Sequence, residues 1–138
     1  MTTTIPTHAA KAVITNERGD ILFLQRNAAG RADMRANWDL PGGLVEAGED
    51  DATALAREMV EELGRRASGI GEALGTWSFH RPFDGATVAV TNYPVSIETM
   101  GELSLSEEHT AAQWVPKSIL TDRQLDVKDP SIFTALGL

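Results

Sequence analysis

Apolar residues fall mostly in short runs broken by Gly, Pro, Asn and Asp, and in one stretch they recur at a helical period instead. Residues 9–15 form a run of buried-strand character, Asn16, Gly19 and Asp20 mark a turn, and 21–25 form a second run. Together these predict a hairpin. Residues 27–37 lack periodicity and read as a loop, 38–40 as a brief strand broken by Pro41, Gly42 and Gly43. Ala52, Leu55, Ala56, Met59 and Leu63 recur at i, i+3, i+4, i+7 and i+11, predicting a helix over 51–63 with Gly64 as its stop. Strands follow at 70–80, 86–97 and 110–115, with a turn at 82–85 and a loop at 98–108. A short helical turn at 117–120 and a terminal helix at 130–136, with Pro130 in its first turn, complete the chain. Strands, a helix, more strands and a terminal helix predict an α/β sandwich with a mixed sheet between helices.

The central helix carries a charge arrangement that works against its stability. Glu58 and Glu62 are four apart and share a face, and Glu61 lies about 60° round from Glu58 at roughly 100° per residue. Like charges at this spacing cost roughly 0.2–0.5 kcal/mol, and anions near a helix C-terminus oppose its dipole by roughly 0.3–1 kcal/mol. A divalent cation would offset both. An all-oxygen set without Cys or a nearby His suits Mg²⁺ or Mn²⁺ better than zinc. Spacing alone also suits a solvated acidic face.

At 138 residues with 42% hydrophobic composition, the chain has the size of one domain, 1–138, with a sizeable core. Its net charge of −8 argues against binding a nucleic acid polymer or a membrane surface. Within that acidic background Arg26, Arg31 and Arg35 stand against a single Asp33, and their forks match phosphate oxygens. The chain has no cysteine, so thiolate chemistry and disulfides are excluded. Its first eight residues lack a basic start and an apolar run, and no eighteen apolar residues run together, so the expected location is cytoplasmic.

The pattern Gly43, five residues, Glu49, seven residues, Arg57-Glu58-Met59, one residue, Glu61-Glu62, one residue, Gly64 resembles the signature of the Nudix hydrolases of MutT-like type. The preceding Trp38-Asp39-Leu40-Pro41-Gly42-Gly43 resembles the approach to that signature, and the likeness reaches from about Ala9 to Val115. One position departs: Arg65 stands where the family commonly has an aliphatic residue.

The resemblance implies a Nudix-type α/β/α sandwich that hydrolyses, with Mg²⁺ or Mn²⁺, a phosphoanhydride in a nucleoside diphosphate linked to another group, such as ADP-ribose or a sugar nucleotide. It implies Glu58 and Glu62 as first-choice metal ligands, Glu61 close behind, and a backbone carbonyl at Gly43. Arg57 would orient a glutamate of the signature, Glu49 being the candidate. The general base would come from Glu107-Glu108, ahead of Trp114, with Glu108 preferred by spacing and Glu61 next. Trp38 reads as core or as a base-stacking platform, and His80 at the mouth of the second hairpin as structural or ligand-contacting. Pro82 lies near where ADP-ribose-cleaving relatives often carry a proline. The runner-up reaction is pyrophosphohydrolysis of damaged nucleoside triphosphates. A nucleotide-sensing module that cleaves nothing would usually have lost part of the glutamate set, and a diphosphate isomerase would need a cysteine. The expected partner is a small nucleotide, and a homodimer stays open.

Overall fold

The computed structural model describes residues 5–28, 37–98 and 103–138. Among the described residues, eight strands divide between two sheets. The larger is mixed and built around β1 (His8–Val13), which pairs parallel with β7 (Thr87–Ile97) and antiparallel with β4 (Gly42–Leu44). Along its other edge β7 carries β6 (Gly75–His80) and then β5 (Ala67–Ile70), both antiparallel. The smaller sheet is antiparallel, in the order β3 (Trp38–Asp39), β2 (Ile21–Arg26), β8 (His109–Val115).

The expected first hairpin forms only at its tip. Thr15 bridges Ile21 and the Leu22 N–H donates to the Ile14 carbonyl at 3.0 Å, after which β1 and β2 enter different sheets. Each then finds other partners, so both strands are nearly continuously apolar and buried. The break expected at Pro41–Gly43 is itself in part a strand, since Gly42 and Gly43 pair with Lys11 and Ala10. The single strand expected over 70–80 divides into β5 and β6 around residues 71–74.

Alternation along the strands builds two cores. Ala9, Val13, Ile21, Phe23, Val88 and Val90 face one way, where Leu120, Ile132 and Phe133 of α2 (Lys117–Thr121) and α3 (Ser131–Ala135) cover them. Ala10, Ala12, Ile14, Leu22, Leu24, Val95 and Ile97 face the other way, under Leu55, Met59 and Leu63 of α1 (Asp51–Leu63). These three helix side chains are fully buried, which contributes about 1.5–3 kcal/mol each. Helices on both sides of the strand layer give the α/β/α sandwich.

Helix α1 has the bounds its periodicity predicts, because both ends are capped. The Thr53 N–H donates to the Asp50 side chain at 2.8 Å, and Gly64, at φ 64°, returns its N–H to the last turn. A clamp also holds the first turn: His8 Nε2 lies 3.0 Å from Asp51 Oδ1, and the Tyr93 hydroxyl donates to the same carboxylate. The buried face differs from the expected stripe. Ala52 and Ala56 are exposed, and Ala54 and Glu62 are buried beside Leu55, Met59 and Leu63. The helix is turned so that a carboxylate points inward.

Candidate functional site

Glu62 is 3% exposed, and its Oε1 accepts a 2.6 Å hydrogen bond from the Gly42 N–H on β4. Gly42 has φ 130°, and a Cβ there would strike the Ala10 carbonyl oxygen, so only glycine fits between β1 and the carboxylate. At Gly43 a Cβ would stand 2.5 Å from Glu58 Oε1, so the missing side chain is what admits the Glu58 carboxylate against the β4 backbone. The two glutamates of the shared face are thus held against the Gly42-Gly43 backbone from the helix side.

Arg57 ties the remaining carboxylates together. Its Nε and Nη2 each donate to Glu49 at 2.9 Å, a two-pronged pairing, and Nη1 donates to Glu58 at 3.0 Å and to Glu61 at 3.3 Å. Nη2 also reaches the Leu44 carbonyl at 3.2 Å, and Glu49 in turn accepts from the Glu46 N–H at 3.0 Å. Hydrogen bonding to Arg57 holds the Glu49 carboxyl below its ordinary value. Glu61, with its side chain 55% exposed, stands on the solvent side of this network.

Burial dominates the electrostatics on the inner side. It pushes the Glu62 carboxyl up to about 8, against the opposing pull of Lys11 and the Gly42 N–H. It also raises Glu58, partly offset by Arg57 and Lys11. A carboxylate so placed is costly to ionise without a cation. From β8 and the residue before it come His109 and Glu108: among the described residues Glu62, Glu108 and His109 form a group whose ligand atoms all lie within 4.8 Å of one another. Glu58 and Glu61 lie outside that group. The donors are hard carboxylate oxygens with one imidazole nitrogen, and the buried acid at their centre lacks a full counter-charge. They fit a divalent cation.

Behind the carboxylates lies a buried ionic cluster. Lys11, 6% exposed, donates from Nζ to Asp39 at 3.1 Å and to the Leu40 and Gly42 carbonyls at 3.2 Å each. Asp39 is fully buried, with Arg26 Nη1 and Lys128 Nζ each 3.8 Å away. Burial acts to raise the Asp39 carboxyl, but Lys11, Lys128 and Arg26 together outweigh it and hold it below its ordinary value. The Lys128 ammonium is lowered to about 7 by burial and sits 3.6 Å above the Phe79 ring.

The sequence-predicted residues divide accordingly. Glu49, Arg57, Glu58 and Glu61 meet in one network, Glu62 and Glu108 in an adjoining group, and Gly43 underlies Glu58. Arg26 joins the buried cluster through Asp39. Arg31 and Arg35 lie outside the described residues. Trp38 is half-buried against the first core. His80 is exposed at the end of β6, its Nδ1 3.4 Å from the Thr87 hydroxyl, and neighbouring Arg81 is held by Asp84 and the Pro6 carbonyl. Sequence reading missed Lys11, Asp39, His109 and Lys128. A lysine inside the alanine-rich run of β1 was the one visible sign; nothing local marks Lys128.

A family model for the NUDIX domain matches residues 6–136, more of the chain than the likeness over 9–115 had suggested. The CTP pyrophosphohydrolase of Escherichia coli is 35% identical over 103 residues, covering 75% of this chain and 71% of that protein. A Mycobacterium tuberculosis protein provisionally named 8-oxo-dGTP diphosphatase 2 is 33% identical over 92 residues, 65% of this chain. The chain spans 61% of that relative's length. Among solved structures, the MutT protein of Methanosarcina mazei superposes with a TM-score of 0.81 at 25% identity, covering 99% of this chain and 94% of that one. With the signature glutamates, the sandwich and these matches in agreement, the chain belongs to the NUDIX domain family.

Proposed function

We propose that this protein is a divalent-metal-dependent pyrophosphohydrolase that cleaves a phosphoanhydride bond of a small nucleotide, with nucleoside triphosphates as the favoured class. The observation that carries this reading is the Glu62 carboxylate, 3% exposed and pushed up to about 8, with Glu108 and His109 converging on it and Glu58 beside it. Glu58 and Glu62, with the carbonyl at Gly43, would hold the cation, with Glu61 on the solvent side of the same network as the next candidate. The bound cation supplies charge neutralisation at the phosphates and lowers the pKa of water. Arg57 fixes Glu49, Glu58 and Glu61 in place, so that reactive groups need no reorganisation during turnover. Glu108 is exposed enough to meet an attacking water and serves as the base.

The preference for triphosphates rests on the names of the relatives from E. coli and M. tuberculosis, a CTP pyrophosphohydrolase and an 8-oxo-dGTP diphosphatase. It replaces the ADP-ribose-like substrate as first choice. That expectation rested on Pro82, which lies in the turn between β6 and β7. The test is formation of nucleotide products, resolved by chromatography, with Mg²⁺ and with Mn²⁺, from CTP, 8-oxo-dGTP, ADP-ribose, a sugar nucleotide and a dinucleoside polyphosphate: a nucleoside monophosphate with pyrophosphate from the triphosphates, and with a sugar phosphate from ADP-ribose or the sugar nucleotide. Triphosphates should show the highest kcat/KM. Faster cleavage of ADP-ribose would restore the first expectation, and nucleotide binding without cleavage would identify a sensing module.

A further inference from the structure

His109 contributes an unusual atom to the carboxylate group. It is 9% exposed, it begins β8, and its Nδ1 is buried without a hydrogen-bond partner, 3.5 Å from Glu62 Oε2. A buried nitrogen left unpaired is costly, and this one faces the Glu62 carboxylate beyond ordinary hydrogen-bond reach. The spacing suits a shared ion: with bonds of about 2.1 Å, adjacent ligand atoms stand roughly 3 Å apart and opposite ones about 4.2 Å. The Glu62, Glu108 and His109 ligand atoms, all within 4.8 Å of one another, are at that scale.

We propose that His109 Nδ1 is itself a metal ligand, so that Glu62, Glu108 and His109 form a mixed nitrogen and oxygen position that prefers Mn²⁺, or another transition ion, over Mg²⁺. Imidazole suits first-row transition ions, whereas Mg²⁺ favours all-oxygen shells and retains its waters. Register fixes the nitrogen in place: His109 pairs with Arg26 on β2 at a bulge, and its N–H donates to the Ser106 carbonyl at 3.2 Å, so the ring enters the interior beside Glu62. One Glu108 oxygen on the ion leaves the other to accept a proton from water. The inference rests on the proposed function only in requiring that the site bind a divalent cation.

The test reads the ligand atom directly. The full chain, prepared with natural and with ¹⁵N-labelled histidine, is loaded with Mn²⁺ and examined by electron spin-echo envelope modulation. A coordinated imidazole gives a nitrogen modulation that changes with the label. His8 and His80 are engaged with Asp51 and Thr87 on other parts of the fold, so loss of the signal in His109→Asn assigns it. Calorimetry with Mg²⁺ and Mn²⁺ should show the preference for Mn²⁺ fall by at least roughly tenfold in that variant. If wild-type protein binds Mn²⁺ without nitrogen modulation, the inference is overturned and the pyrophosphohydrolase reading stands. Failure to bind either ion, together with failure to cleave any nucleotide, overturns both.

Discussion

Replacing Glu62 by glutamine should abolish activity and yet stabilise the metal-free protein at alkaline pH. In the folded chain the Glu62 carboxyl is raised from 4.5 to about 8 by burial. A raised acid favours folding while protonated. That contribution is complete below pH 4.5 and is lost as pH rises through about 8. At about 1.4 kcal/mol per pH unit, keeping this group ionised above pH 8 costs on the order of 4–5 kcal/mol. Glutamine removes the charge and retains a carbonyl to accept the Gly42 N–H, and Lys11, whose attraction the value of about 8 already includes, keeps Asp39; the buried amide nitrogen it introduces costs about 1–3 kcal/mol and offsets part of the gain. A net gain of about 2 kcal/mol at pH 8.5 corresponds to a rise of roughly 5–10 °C in Tm for a domain of this size. Two other buried groups titrate the opposite way. His109 is lowered to about 4, so its contribution is present above its ordinary 6.5 and lost as pH falls through 4; Lys128, lowered to about 7, loses its own as pH falls from 10.5 through 7. Lys128 is common to variant and wild type, and His109, which faces Glu62, titrates below its ordinary 6.5, so the difference in Tm between the two above pH 7 isolates Glu62. Thermal melts in chelator from pH 5 to 9 should show the difference growing with pH. Added Mg²⁺ or Mn²⁺ at a hundred times Kd should raise the wild type by ~2.7 kcal/mol and the variant by much less. A Glu62→Gln protein that melts below wild type at pH 8.5 in chelator, or that gains equally from the cation, would refute the reasoning.

Other outcomes follow from the same geometry. Arg57→Lys keeps a charge but cannot hold Glu49 by two prongs while reaching Glu58 and Glu61; kcat should fall by more than roughly tenfold with KM little changed, in steady-state assays at saturating metal. Glu108→Gln should lower kcat by about 10²–10⁴, the range for a lost general base, and a fall of less than tenfold would move that role to Glu61. Arg26→Gln should raise KM and spare kcat if its guanidinium meets phosphate in ground and transition states alike; an unchanged KM would leave it a structural partner of Asp39.

Where a feature was set by local rules, the sequence alone determined it. The bounds of α1 follow from apolar period, the Asp50 cap and Gly64, and β7 and β8 from apolar runs ended by turns or proline. The glutamate signature located most of the candidate site because its spacing is itself helical geometry. Tertiary structure decided the rest. The rotation of α1 that buries Glu62 and exposes Ala56 depends on β4 presenting the Gly42 N–H, a contact twenty residues away in sequence. The parting of β1 and β2 into separate sheets depends on β7, β4 and β8 offering better ladders than a two-stranded hairpin. Lys11, Asp39, His109 and Lys128 come from four separate segments, and apart from the lysine in an alanine-rich strand each looks ordinary in its own stretch. Their charges and nitrogens acquire meaning only where folding removes the water between them, because burial turns weak surface interactions into strong constraints on which groups must be paired.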